Sequence, residues 1–213
     1  MENDEDILQY AFILFEQGDL KGALEEVSKL LNHDEVTAHS VMGQFNFQSQ
    51  IYDEAEKHFL KAVTLNPSSV GYFNVATAST MNKNFDKGKE AFEMAIKLKQ
   101  KEQGNEFGVQ TLVFYYQQCL QEVRQFDRSL EQLNIFRDFY SRSKITDLTH
   151  VILASGGDAS IPPFEVVLER AIPTLKHIGE KEAKKWLDQL SRNIDDDGKK
   201  VVASLKLKLG FKS

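Results

Sequence analysis

Five histidines, one cysteine and a scatter of carboxylates are the residues of this 213-residue chain that could do acid–base, nucleophilic or metal chemistry. His33, His39, His58, His150 and His177 show no HExxH or comparable ligand spacing, so each reads as a surface or packed imidazole. Cys119 lies in the apolar stretch between Tyr116 and Leu120, where a thiol is buried and inert. A single cysteine also rules out an internal disulfide and a cysteine-cage zinc site. Ser155-Gly156-Gly157 has neither the GxSxG elbow nor a lysine-bearing phosphate loop, and reads as a turn. The run Asp195-Asp196-Asp197 lacks the alternating ligands and distal glutamate of a calcium loop. Carboxylate pairs fall on solvated helix faces, and nothing marks one as catalytic. The expectation is a protein that is not an enzyme and uses no metal and no cofactor.

The elements that carry these residues follow from composition and periodicity. With 32 acids against 26 bases the net charge is −6, which argues against a nucleic-acid surface. No apolar run approaches the roughly 18–20 residues of a membrane span. The N-terminus is acidic where a secretory signal would be basic, so a soluble, cytoplasmic protein is expected. Twelve glycines and four prolines leave room for long helices.

One apolar pattern recurs four times: Leu20, Ala23, Val27, Leu30; Tyr52, Ala55, Phe59, Ala62; Phe85, Gly88, Phe92, Ala95; and Phe126, Ser129, Leu133, Phe136. All four anchors move together, by 32, then 33, then 41 residues. Offsets of 3, 7 and 10 lie on one helix face, and the small second residue lets another helix approach. Upstream of each block lies a second stripe: Ile7, Tyr10, Ala11, Leu14; Met42, Gly43; Tyr72, Val75, Ala76; and Val113, Tyr116, Leu120. Turn residues such as Gln17-Gly18-Asp19 and Asn82-Lys83-Asn84 separate stripe from block. Each unit is a helix–turn–helix that cannot bury its apolar faces alone. The long third step, around Lys97–Asn105, predicts a longer helix capped near Gly104.

These residues resemble the tetratricopeptide repeat. The second unit is the most similar, with Met42-Gly43, then Tyr52, Ala55, Phe59, Ala62 and Leu65-Asn66-Pro67. Asn46 stands where that family prefers an aromatic and Gln117 where it prefers a small residue. The fold expected is an all-α helical-repeat solenoid of about four such units over residues 4–143 (about 4–35, 36–68, 69–104 and 105–143).

Residues 144–213 are expected to form a helical C-terminal cap or docking segment. The helices there start near Ile145, at Phe164 after Pro162-Pro163, at Gly179 and after Asp195, and Pro173 should kink or divide the second. Residues 1–159 carry 15 bases and 24 acids, whereas 160–213 carry 11 and 8.

In the family resembled, the first helices of successive units line a concave groove for an extended peptide or a partner helix. The register implies Phe12, Phe15, Gln44, Phe47, Phe73, Asn74, Met81, Phe114, Tyr115 and Gln118 as groove residues. The clamp by which chaperone-binding members hold a terminal carboxylate would fall on Leu8, Phe12, Val41, Val70 and Asn74, which include no cation, so that role is disfavoured. The function implied is a scaffold or adaptor binding a protein or peptide partner through an apolar segment. Two alternatives stay open. One is a receptor for a small signalling peptide, hinged at Gly156-Gly157. The other is self-assembly, for example as a homodimer.

Overall fold

The structure, a computed structural model, describes residues 3–102, 108–154, 157 and 161–211. Among them are twelve α-helices and no strand: α1 (Asp4–Glu16), α2 (Leu20–Ser28), α3 (Glu35–Gln48), α4 (Tyr52–Leu65), α5 (Ser69–Met81), α6 (Phe85–Lys99), α7 (Val109–Glu122), α8 (Phe126–Ser143), α9 (Leu148–Ala154), α10 (Phe164–His177), α11 (Glu180–Ser191) and α12 (Asp196–Lys208). A 3-10 turn, Lys29–Asn32, follows α2. The chain divides into two compact units, Met1–Lys101 and Glu102–Ser213.

The first eight helices form four pairs, and their four inner turns share one backbone solution. Each passes through a left-handed residue: Gly18 (φ 84°), Gln50 (61°), Lys83 (65°) and Arg124 (59°). The following N–H reaches back five residues in every case, from Asp19 to Leu14 O (2.9 Å), Ile51 to Asn46 O (2.9 Å), Asn84 to Ser79 O (2.8 Å) and Gln125 to Leu120 O (2.7 Å). This Schellman closure satisfies carbonyls that would otherwise be orphaned at the end of the first helix. The left-handed positions step by the same intervals as the apolar anchors, which ties the sequence repeat to a backbone repeat.

In the first unit, α1 packs on α2, α3 on α4 and α5 on α6, while α2 and α4 pack on the next first helix. The small anchors do what their size permits. Ala23 and Ala55 are fully buried, and a methyl at Gly88 would stand 2.4 Å from Thr80 Oγ1 and 3.1 Å from Ala76 O. Ile7, Ala11, Ala23, Val27, Leu30, Ala38, Met42 and Phe45 form a continuous core. Tyr10, expected in the buried stripe of α1, is 52% exposed, about 100° around the helix from fully buried Ala11. The expected extension of α6 is also corrected. The helix stops at Lys99, because no apolar residue follows Leu98 in Lys99-Gln100-Lys101-Glu102 to hold another turn against a neighbour. Gly104, the expected cap, lies outside the described residues.

In the second unit α10 packs on α8 and α7, α11 on α8 and α10, and α12 on α10 and α11. The C-terminal helices therefore cover the α7–α8 pair. Pro173 does not divide α10, which runs unbroken from Phe164 to His177. Proline offers no N–H to the Glu169 carbonyl four residues back, a position on the exposed side of the helix. The neighbouring Arg170 carbonyl accepts hydrogen bonds from Gln117 Nε2 (3.4 Å) and Gln121 Nε2 (2.8 Å). Gln117, a departure from the small residue expected at its position, is thereby accounted for. Asp195 joins two segments: it accepts from Thr146 N (2.8 Å) and Thr146 Oγ1 (2.7 Å), and it caps α12 through Gly198 N (2.8 Å). Of the expected hinge, Gly157 adopts φ 91°, and Gly156 lies outside the described residues.

Candidate interaction face

Within the helical pairs, lysine and arginine fall on the second helix, which carries acids as well. Asp4, Glu5, Asp6 and Glu16 on α1, Glu35 on α3 and Glu122 on α7 are the acids of the first helices. None of α1, α3, α5 and α7 carries a lysine or arginine, and α5 carries no charge at all. The second helices hold the cations: Lys21 on α2, Lys57 and Lys61 on α4, four lysines on α6, and Arg128, Arg137 and Arg142 on α8. A helix covered on several sides tolerates few charges, which explains the buried run Val75–Thr80 of α5.

On α1, Glu5, Gln9, Phe12 and Glu16 are all exposed at spacings of four, three and four, a single line along the helix. Phe12 is 37% exposed, yet its ring is held. It meets Phe45 of α3 edge-on with centroids 5.0 Å apart, while Phe15 stacks on the same ring at 4.4 Å and 7°. Phe45 is fully buried, so it acts as the pedestal for both. Gln44 beside it is exposed. Phe47 is half-buried and edge-on to Tyr52 at 5.4 Å. Phe73, Asn74 and Met81 are half-buried on α5.

In the second unit, Tyr115 is 47% exposed and Gln118 is half-buried. Phe114 differs from the expectation of an offered ring. It is only 6% exposed and packs against Phe136 of α8 at 6.4 Å, so it belongs to the α7–α8 core. Phe45 was missed by the sequence reading although it lies three residues beyond Met42, on the same stripe.

Two polar clusters also escaped that reading. His39 of α3 and His58 of α4 place their Nδ1 atoms 2.9 Å apart. At that distance only one of the two nitrogens can donate to the other, and His39 Nε2 faces Glu35 Oε1 at 3.6 Å. Burial, then the neighbouring His39, holds His58 below the usual imidazole range. The second cluster centres on Glu56 of α4, which is 4% exposed. It accepts from Asn82 Nδ2 and Asn84 Nδ2, both at 2.8 Å, and from Lys87 Nζ at 2.6 Å. Burial pulls its carboxyl upward, but these three donors and the Lys87 charge outweigh it and hold the group below the usual range.

Elsewhere the chemistry is quiet. Among the described residues no three His, Cys, Asp or Glu side chains converge to hold a metal. Burial, then Glu122, pushes the Cys119 thiol up to about 12, far from a reactive thiolate. No helix among the described residues is long and apolar enough to cross a membrane.

The chain is thus an all-α protein of recurring helical pairs with helices packed over the last pair. No protein-family model matches it, and no curated protein matches it either.

Proposed function

We propose that this chain is a non-enzymatic interaction scaffold or adaptor of tetratricopeptide-like design, which holds an apolar peptide or helix of a protein partner against its first helices. The observation that carries this reading is Phe12, more than a third exposed while its ring is locked against Phe45. An apolar side chain that is both offered to solvent and pre-ordered loses little entropy when a partner covers it. Gln44 on the adjacent helix supplies a carboxamide able to pair with a bound backbone. The same reading puts the protein in the cytoplasm, where a free thiol such as Cys119 stays reduced.

Panning a random peptide display library on the full chain tests this reading. Selected peptides should be rich in apolar residues. Their binding should weaken at least about tenfold on Phe12→Ala, whose truncation removes a central aromatic anchor, and fall also on Gln44→Arg. Selected peptides indifferent to both substitutions, or a library that yields none, would sink it.

A further inference from the structure

We infer, resting on the docking face just proposed, that the first unit recognises an amphipathic segment whose apolar residues are flanked by lysine or arginine. Three observations converge on this. Phe12 stands in an exposed line seven residues after Glu5 and four before Glu16, so the apolar anchor has a carboxylate on either side along the helix. The helix that supplies its pedestal, α3, carries Glu35 and no lysine or arginine, so no fixed cation on α1 or α3 would repel a basic ligand. Residues 1–101 together carry 10 lysines and arginines against 16 acids, so the long-range field has the same sign as the local one. The cations of this unit sit on α2, α4 and α6, partly tied to acids as in Lys57 with Glu54 (2.6 Å) and Lys87 with Glu56 (2.6 Å). Lys61 of α4 reaches Glu35 at 3.6 Å, so the carboxylates left for a ligand cation beside the Phe12 ring are those of α1, where an acidic ligand finds no lysine or arginine.

Three synthetic helical peptides test this on the full chain. They share leucines at i, i+3, i+4 and i+7, and their remaining positions are lysine with glutamine, glutamine alone, or glutamate with glutamine. Fluorescence anisotropy at low and at physiological ionic strength reads their affinities. Two exposed charge pairs of ordinary strength predict about a fivefold preference for the lysine peptide over the neutral one. That preference should shrink with salt. In Glu5→Gln/Glu16→Gln the preference should vanish while the neutral peptide binds as before. In Glu90→Gln/Glu93→Gln, which removes two exposed acids from α6, it should persist. Equal losses in the two double variants would mean that the lysine peptide responds only to net charge, and would overturn the inference. Equal binding of lysine and neutral peptides, both weakened by Phe12→Ala, would overturn the basic partner and leave the docking face standing. Failure of all three peptides to bind would overturn both.

Discussion

The ring of Phe59 on α4 lies directly on Gly43 of α3. A methyl built at Gly43 would stand 2.6 Å from ring carbons Cδ1 and Cε1. Phe59 is 5% exposed and has little room to withdraw. Alanine would raise the helix propensity of α3 by about 1 kcal/mol, but overpacking of a filled core costs about 1–3 kcal/mol. Gly43→Ala should therefore be net destabilising in urea melts. Adding Phe59→Leu should recover part of the loss, giving a coupling energy well outside additivity.

The Glu56 cluster ties the turn between α5 and α6 back to α4. Glu56→Ala removes the shared acceptor of two amides and an ammonium, of which exposed Asn84 and Lys87 can turn to water, and should cost about 1.5–3 kcal/mol, the range for hydrogen bonds to a charged group. The pH sign follows from a folded carboxyl held below its ordinary 4.5. Its stabilisation is complete above that value and is lost as pH falls through the lower folded value. Acid unfolding followed by circular dichroism should lose this component in Glu56→Gln.

The His39–His58 pair sets a second, milder pH dependence. A folded imidazole held below its ordinary 6.5 binds its proton less readily than the unfolded chain does. Stability is therefore full above about pH 6.5 and declines as pH falls below it, because the unfolded state takes up the proton first. Protonating both rings would also set two N–H groups face to face across the 2.9 Å gap. Around the pair, Glu54 favours the charged form and Lys57 opposes it, and Glu35 is shared with Lys61. Thermal melts of the wild type should fall between pH 7.5 and 5.5, and the slope should flatten in His58→Gln.

Left-handed turn residues give a prediction with two signs. For a residue with a Cβ this backbone costs about 1–2 kcal/mol. Gln50→Gly or Arg124→Gly should stabilise by about 0.5–1 kcal/mol once the extra chain entropy of glycine is set against that strain. Gly18→Ala at the equivalent turn should destabilise by about 1 kcal/mol. Space is not the reason, since a methyl there would meet nothing within 4 Å. Chemical denaturation of the three variants checks the pattern, and a uniform sign would contradict the shared turn geometry.

Thr174 anchors α10 to the pair beneath it. Its fully buried hydroxyl lies 2.8 Å from Gln121 Nε2 and 2.7 Å from Ser129 Oγ. Thr174→Val keeps the shape but leaves Ser129 without that partner, and should cost about 1–3 kcal/mol. Faster amide hydrogen exchange in α10 than in α8 would locate the loss in the covering helix.

The sequence by itself determined the helical pairs, their turns and most of the face each helix turns inward, Tyr10 and Phe114 being exceptions. Those properties depend on spacing within one helix and on which residues flank it. Even Gln50, Lys83 and Arg124, which carry no glycine signal, could be placed because the anchors two residues later keep step. The groove positions Phe12, Gln44 and Tyr115 came from the family resemblance and not from spacing within the chain. Tertiary structure decided what each face meets. Asn82 and Asn84 lie 26 and 28 residues from Glu56, and His39 lies 19 from His58. Phe114 and Tyr115 are neighbours in sequence, yet one is buried and the other nearly half exposed. A helical period fixes the angle at which a side chain leaves its own axis. The rotation and distance of the next helix decide whether that side chain finds solvent, a ring or a charge, and these depend on residues far away in the chain.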